Sequence, residues 1–313
     1  MKKNSENAAR SPLSVTSSAA LSVTLFTPAG ALQKAAPLRL AAKRLKAAGC
    51  AVHIDENALA RQQRFAGDDA SRVAAFYRVA KDSSEVALAT RGGYGMSRIL
   101  DALDYKKLAK SGKKWVGMSD MTAFSFAMLA KAGAVTYSGP LACDQFAREE
   151  EDATTMDCFM EAMRGELEAI GFATKPALAK SIDIKGTLWG GNLKMVACML
   201  GTPYWPAVKG GILFLEDVGE HPYKIERMLL QLKQAGVLDA QKAVLLGHFT
   251  GFKTMPNDRG YRLQTCIDYL RTQTKTPILT GLPAGHVATV VTLPVGAKAR
   301  LLAEGKDAFL VFE

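Results

Sequence analysis

Cysteine is scarce in this 313-residue sequence, and no two cysteines form a Cys-x-x-Cys pair. Zinc sites and disulfide frameworks both need clustered cysteines, so the sequence indicates neither. Isolated thiols within apolar runs are typical of buried, reduced cysteines and favour a cytoplasmic location. The five cysteines are Cys50, Cys143, Cys158, Cys198 and Cys266.

Long apolar runs are also missing, because no stretch reaches the roughly 20 residues of a membrane-spanning helix. The first apolar run, 19–26, is short and leads into Thr27-Pro28-Ala29-Gly30, which predicts a strand and a turn. Residues 1–18 are polar, and no apolar segment directly follows the initial lysines. They are predicted to form a disordered N-terminal extension rather than a signal peptide. We therefore expect no membrane partner.

The formal net charge is +10, yet the basic residues lie scattered without interleaved aromatic residues. Nucleic-acid-binding surfaces usually combine the two, so the sequence does not favour a nucleic-acid partner. The charge could instead steer an anionic substrate toward the protein.

Strand and helix patterns alternate through the first half of the chain, which predicts a parallel sheet covered by helices. We predict an α/β fold with a Rossmann-like N-terminal domain over 19–170. An irregular stretch with Pro176 predicts a linker over 171–182, and short strand patterns predict a strand-rich, mixed α/β C-terminal domain over 183–313. The predicted strands of the first half are 21–26, 51–54, 85–90 and 115–118, with helices at 37–48, 69–81 and 122–131.

A serine, Ser119, stands in Gly117-Met118-Ser119-Asp120-Met121 between a predicted strand and a predicted helix. A sharp strand-to-helix turn exposes a serine hydroxyl beside a helix N-terminus, as a nucleophile requires. The simpler alternative is that Ser119 or Asp120 caps the helix.

A serine nucleophile needs a base, and only four histidines are present. His286 lies in a turn-rich loop and is modestly favoured over His248, which follows a strand. Glu216 and Asp217 end an apolar strand, where a carboxylate is costly unless it is paired. We expect one of the two carboxylates to orient the base and the other to cap the following helix.

Backbone donors for an oxyanion are expected from two places. One is the N–H of Asp120, directly after the candidate nucleophile. The other is Gly92-Gly93, where the missing side chains let the backbone approach a ligand. This glycine loop has neither the P-loop ending nor the spacing of a dinucleotide-binding fingerprint.

Five short segments together resemble the LD-carboxypeptidases of murein recycling, a family of serine peptidases also called muramoyltetrapeptide carboxypeptidases. The similarity extends from about Leu21 to the C-terminus and is greatest to the enterobacterial type. The segments, in chain order, are Arg91-Gly92-Gly93-Tyr94-Gly95, Gly117-Met118-Ser119-Asp120, Gly186-Thr187-Leu188-Trp189-Gly190-Gly191-Asn192-Leu193, Leu215-Glu216-Asp217 and Gly285-His286.

The resemblance implies a triad divided between two domains, with Ser119 as nucleophile, Glu216 as acid and His286 as base. It also implies an oxyanion hole formed by the backbone of Gly93 and Asp120. Members of the family remove the terminal D-alanine from murein tetrapeptides by cleaving an L,D bond, use no metal or cofactor, and are commonly homodimers.

Three further residues are substrate-binding candidates. Arg91 is the nearest cation for a terminal carboxylate, and Trp189 and Asn192 match a motif at the domain interface, where packing is the alternative. A related hydrolase that gives self-immunity to aminoacyl-nucleotide antibiotics of the microcin C type would use the same triad with a different pocket. A catalytically inactive muropeptide-binding module is a further alternative.

Overall fold

The computed structural model describes residues 20–312 and consists of two β-sheets with helices packed around them. The extension predicted for residues 1–18 lies outside the described residues. Over residues 20–312, no helix combines the length and apolar character that crossing a bilayer requires. The strands are β1 (Ser22–Phe26), β2 (Ala51–Ile54), β3 (Val86–Ala89), β4 (Lys114–Val116), β5 (Thr136–Ser138), β6 (Ala169–Ala173), β7 (Ile182–Asn192), β8 (Ile212–Val218), β9 (Ala243–Thr250), β10 (Ile278–Thr280), β11 (Leu293–Val295), β12 (Lys298–Glu304) and β13 (Asp307–Phe312). The α-helices are α1 (Ala36–Ala47), α2 (Asp69–Lys81), α3 (Tyr105–Lys110), α4 (Met121–Ala132), α5 (Ala153–Arg164), α6 (Leu193–Met199), α7 (Pro222–Gln234) and α8 (Leu263–Gln273).

The first sheet has six strands in the order β11-β5-β4-β3-β1-β2. The five strands from the N-terminal half pair in parallel, as their alternation with helices predicts. The second sheet has seven strands in the order β10-β9-β8-β7-β12-β13-β6. Its first four strands are parallel, and its last three are added in antiparallel pairing. The predicted fold class, a parallel α/β domain with a strand-rich mixed domain, is confirmed.

Two chain segments cross the predicted domain boundaries. Residues 171–173 were expected in the linker, but they belong to β6, which pairs with β13 in the second sheet. Only 174–181 are irregular. Conversely, β11 comes from the predicted C-terminal domain and pairs antiparallel with β5 in the first sheet. The second sheet therefore includes a strand that begins before the predicted linker, and the first sheet includes a strand that follows it.

A shared core holds the two sheets together. Helix α4 is mostly apolar, and its residues 121–128 are all buried, which is typical of a helix enclosed by other elements. Phe126 of α4 packs against Trp189 of β7 at a ring-centroid distance of 5.6 Å, and Trp205 covers both rings. The buried aromatic contact ties the helix that follows the candidate nucleophile to the second sheet.

The strand order fixes where a site can lie. Because β3 and β4 are parallel neighbours, the glycine loop after β3 and Ser119 after β4 emerge at the same edge of the first sheet. Glu216 lies near the carboxyl end of β8, and His286 lies in the loop between β10 and β11. That loop spans from the second sheet to the first, so it passes over the junction between them.

Candidate active site

Ser119 occupies a strained turn between β4 and α4. Its φ is +63°, in the left-handed region that residues other than glycine rarely adopt. Such a conformation costs of the order of 1–3 kcal/mol and is found mostly where function requires it. The turn begins α4, since the Thr122 N–H donates to the Ser119 carbonyl. The geometry matches the predicted strand-to-helix turn and presents the hydroxyl at the helix N-terminus.

The glycine loop after β3 lies directly against this serine. A Cβ added to Gly92 would lie 2.7 Å from both Cβ and Oγ of Ser119 and 3.6 Å from the Asp120 nitrogen. Only glycine therefore permits this approach. Gly92 and Gly93 line a cavity of about 370 Å³ together with Ser119, Arg91 and His286. The predicted nucleophile, base and oxyanion loop thus share one cavity.

The imidazole of His286 is held by Glu216. His286 Nδ1 and Glu216 Oε2 are 3.0 Å apart, and the Glu216 side chain is only 2% exposed. Burial lowers the pKa of His286, but the hydrogen bond and negative charge of Glu216 outweigh it and raise the pKa above its ordinary value. Since Nδ1 is engaged by the carboxylate, Nε2 is the nitrogen left for proton transfer. Within residues 20–312, no hydrogen bond joins Ser119 Oγ to the imidazole, although both residues line the cavity.

Comparison of this chain with known proteins identifies its family. The model of the LD-carboxypeptidase N-terminal domain matches residues 23–139, and the model of the LD-carboxypeptidase C-terminal domain matches residues 185–301. The chain belongs to the LD-carboxypeptidase family. The resemblance stated from the sequence is thereby confirmed.

Three relatives illustrate the range of similarity. A crystal structure of muramoyltetrapeptide carboxypeptidase from Oxalobacter formigenes is 41% identical, has a TM-score of 0.86, and the alignment covers 93% of this chain and 99% of that one. A murein tetrapeptide carboxypeptidase of Pseudomonas aeruginosa is 29% identical over 302 residues, covering 89% of this chain and 92% of the relative. The microcin C7 self-immunity protein of Escherichia coli is 25% identical over 248 residues, covering 70% and 72%.

Asp217 forms hydrogen bonds with α6 and its cap rather than capping the following helix. Its carboxylate accepts hydrogen bonds from the backbone N–H of Lys194, at the start of α6, and from the Asn192 amide. Burial raises its pKa to about 6, against the lowering effect of these donors. The helix that follows, α7, is instead capped by His221, whose ring accepts from the Tyr223 N–H. Asp217 is therefore a link between β8 and α6.

Two substrate-binding candidates make their hydrogen bonds within the core. Trp189 is fully buried and its Nε1 donates to Gln241 Oε1 at 3.0 Å. Asn192 is also buried, and its Oδ1 accepts from the Met195 N–H as the cap of α6. Neither lines the cavity, and the contacts of both are those of interface packing, the alternative given for them; their role in substrate binding stays a prediction. Arg91, the third candidate, does line the cavity, and its Nη1 donates to the Ala31 carbonyl at 2.7 Å.

The Asp120 side chain has a role that the sequence analysis did not anticipate. Its Oδ2 accepts from the Met96 N–H at 2.7 Å, and burial raises its pKa to about 6. On the same loop, buried Arg72 donates from Nη1 to the Gly95 carbonyl at 2.8 Å. The far end of the glycine loop is therefore anchored by two buried side chains. An ionisable residue directly after the nucleophile was the available clue.

The other histidines lie outside the cavity. His248 and His53 are exposed, and the His221 ring contacts Asp258 at 3.0 Å. Among residues 20–312, no group of three histidine, cysteine or acidic side chains is placed to hold a metal ion.

Proposed function

We propose that this chain hydrolyses the bond between an L-centred diamino acid and the terminal D-alanine of murein tetrapeptides, releasing tripeptide and D-alanine. The observation that carries the proposal is the hydrogen bond between buried Glu216 and His286, which lines the same cavity as Ser119. The names of the Oxalobacter and Pseudomonas relatives support this choice of substrate. Nothing in the proposed chemistry needs a cofactor.

In the proposed mechanism, His286 Nε2 removes the hydroxyl proton as Ser119 Oγ attacks the scissile carbonyl carbon. The oxyanion is held by the backbone N–H groups of Gly93 and Asp120, and loss of one such donor costs about 3–4 kcal/mol. The protonated imidazole then donates to the amine of the departing D-alanine. Water, deprotonated by the same imidazole, releases the tripeptide from the acyl-enzyme. Glu216 fixes the tautomer and stabilises the imidazolium.

The terminal carboxylate of the substrate is assigned to Arg91. Its guanidinium lies beside Gly92 and Gly93 at the wall of the cavity, and a guanidinium can bind a carboxylate through two hydrogen bonds. Because Nη1 already donates to Ala31, the side chain is held in place before substrate arrives.

Ser119→Ala tests the nucleophile, with Ser83→Ala as the control, since Ser83 is exposed and outside the cavity. We expect Ser119→Ala to reduce D-alanine release from tetrapeptide by at least about 10³-fold and Ser83→Ala to leave it unchanged. An undiminished rate in Ser119→Ala would refute the assignment. Assays on pentapeptide and on D,D-linked peptides define the bond that is cleaved.

The same assay distinguishes the alternative function. If an aminoacyl-sulfamoyl nucleotide is hydrolysed and tetrapeptide is not, the chain is an immunity hydrolase. Binding of tetrapeptide without turnover would instead indicate a sensor.

The proposal includes a cytoplasmic homodimer that needs neither nucleic acid nor membrane. The free and mostly buried cysteines Cys50, Cys158 and Cys266 support a reducing compartment, and the dimer follows from the family resemblance. Cell fractionation and light scattering on the purified full chain test these two points.

A further inference from the structure

A second cavity opens beside the catalytic one. Its volume is about 310 Å³, and it shares Gln33, Arg91 and Gly93 with the catalytic cavity, so the two are contiguous. We call it the arginine cavity. Its lining residues are Gly30, Ala31, Gln33, Arg61, Gln63, Arg64, Arg91, Gly93 and Tyr94.

The lining of the arginine cavity carries positive charge and no acidic side chain. Arg61, Arg64 and Arg91 all line it, and no aspartate or glutamate does. Neither Arg61 nor Arg64 forms an ion pair with any residue in the described range 20–312, whereas Arg78 and Arg98 nearby in the sequence each pair with an aspartate. Three unpaired guanidinium groups around one small volume repel each other, so an anion in the cavity would be stabilised.

The chain segment that supplies two of these arginines is fastened by backbone hydrogen bonds. Gln62 and Phe65 exchange two backbone hydrogen bonds of 3.0 Å, which closes a tight turn with Gln63 and Arg64 at its tip. The Ala31 N–H donates to the Arg64 carbonyl at 2.9 Å, which fastens the turn to the segment below it. The turn therefore fixes the backbone from which the exposed side chains of Gln63 and Arg64 reach the cavity.

A neighbouring aromatic ring adds to this arrangement. The Arg64 guanidinium lies 5.7 Å from the centre of the Tyr94 ring, and Tyr94 is nearly half exposed. The ring restrains the guanidinium and leaves its outer edge open to a ligand.

We propose that the arginine cavity binds a second anionic group of the substrate, a carboxylate or a phosphate remote from the scissile bond, while the peptide lies against Ser119. This inference rests on the proposed function, because it takes the ligand of the catalytic cavity to be a peptide. A murein tetrapeptide carries a free carboxylate on its γ-linked glutamate, and a nucleotide-linked peptide adds phosphates. Arg91 lies between the two cavities and bounds both.

The test uses Arg61→Gln, Arg64→Gln and the double variant of the full chain. Glutamine keeps hydrogen-bonding capacity and removes the charge. The matched control is Arg164→Gln, an exposed arginine at the end of α5 that lines neither cavity. For D-alanine release from free tetrapeptide we expect each single change to raise KM about 3- to 10-fold and the double change more, with kcat within about twofold of the parent.

Three substrates distinguish the possible sources of the anion. They are the free tetrapeptide, the tetrapeptide amidated at its glutamate carboxylate, and the nucleotide-linked tetrapeptide. If the glutamate carboxylate is the ligand, amidating it raises KM for the parent and removes the difference between parent and arginine variants. If a phosphate is the ligand, the variants lose affinity only for the nucleotide-linked tetrapeptide. Unchanged KM on all three substrates, or a loss confined to kcat, overturns the proposal. A parent enzyme that releases no D-alanine from any substrate refutes the proposed function instead.

Discussion

Gly92→Ala tests how closely the glycine loop approaches the nucleophile. The added Cβ would lie 2.7 Å from Ser119 Cβ and Oγ, whereas ordinary contact begins at about 3.4 Å, so one side must move by about 0.7 Å (3.4 − 2.7). The loop is poorly able to yield, because buried Asp120 and Arg72 hold its far end. We therefore expect the displacement to fall on Ser119.

The size of the effect follows from that displacement. A shift of about 1 Å in a reacting group can cost about 10²-fold in rate. A shift of about 0.7 Å should reduce kcat/KM for tetrapeptide by roughly 10- to 100-fold, equivalent to about 1.4–2.7 kcal/mol of transition-state stabilisation. Overpacking should also lower the free energy of unfolding by about 1–3 kcal/mol.

The assay combines steady-state release of D-alanine with urea denaturation. Gly171→Ala is the matched control, since its added Cβ would approach the half-exposed Phe309 ring at 3.2 Å, and that side chain has room to move. We expect Gly171→Ala to be close to the parent in rate. If the folded Gly92→Ala variant had the same kcat/KM as the parent, the predicted effect on Ser119 would be refuted. Such a result would mean that Ser119 tolerates displacement or is not the nucleophile.

Further predictions concern the base and the interface. Proton transfer needs the neutral imidazole, and Glu216 raises the pKa of His286, so kcat/KM should increase with pH through a pKa above about 6.5. Glu216→Gln should move this limb of the pH–rate profile to lower pH while reducing the maximal rate; an unmoved limb would contradict the pairing. Trp189→Phe removes the buried hydrogen bond to Gln241 and should lower the free energy of unfolding in urea by about 1–2 kcal/mol. Its KM for tetrapeptide should stay within twofold, and a large increase would return Trp189 to substrate binding.

Local patterns were sufficient for the first half of the fold. Strand β2 and helix α2 fall at the predicted residues. Strand β1 begins one residue later than predicted, and β3 and α1 differ from their predicted bounds by one residue at each end. These elements alternate in type and are separated by turn or capping residues such as Asp68, whose side chain accepts from the Ser71 N–H. Each one could be predicted because its periodicity and its ends are encoded within a few residues.

Long-range pairing explains what was not predicted. Strand β7 contains Gly186, Gly190 and Gly191, a composition that disfavours a strand. Yet a Cβ at Gly190 would lie 1.9 Å from the Phe214 carbonyl oxygen, and one at Gly191 would lie 2.5 Å from Thr122 Oγ1. These glycines are required by the neighbouring strand and by α4, which no local pattern reveals. The partner of β11 is likewise set by tertiary structure, because β5 lies about 155 residues earlier in the chain.

The same distinction applies to the candidate site. Three polar residues could be recognised because each lies at the end of an apolar strand or in a turn, where a polar side chain indicates a specific role. They are Ser119, Glu216 and His286. Trp189 stands in an equally distinctive motif, but its polar atom is satisfied within the core. A motif thus identifies residues whose type is constrained. It does not show whether the constraint comes from a ligand or from the fold. A polar atom that points into a cavity favours a role in ligand binding, and one that points into the core favours a structural role. The direction depends on how both sheets pack, which a local motif does not contain.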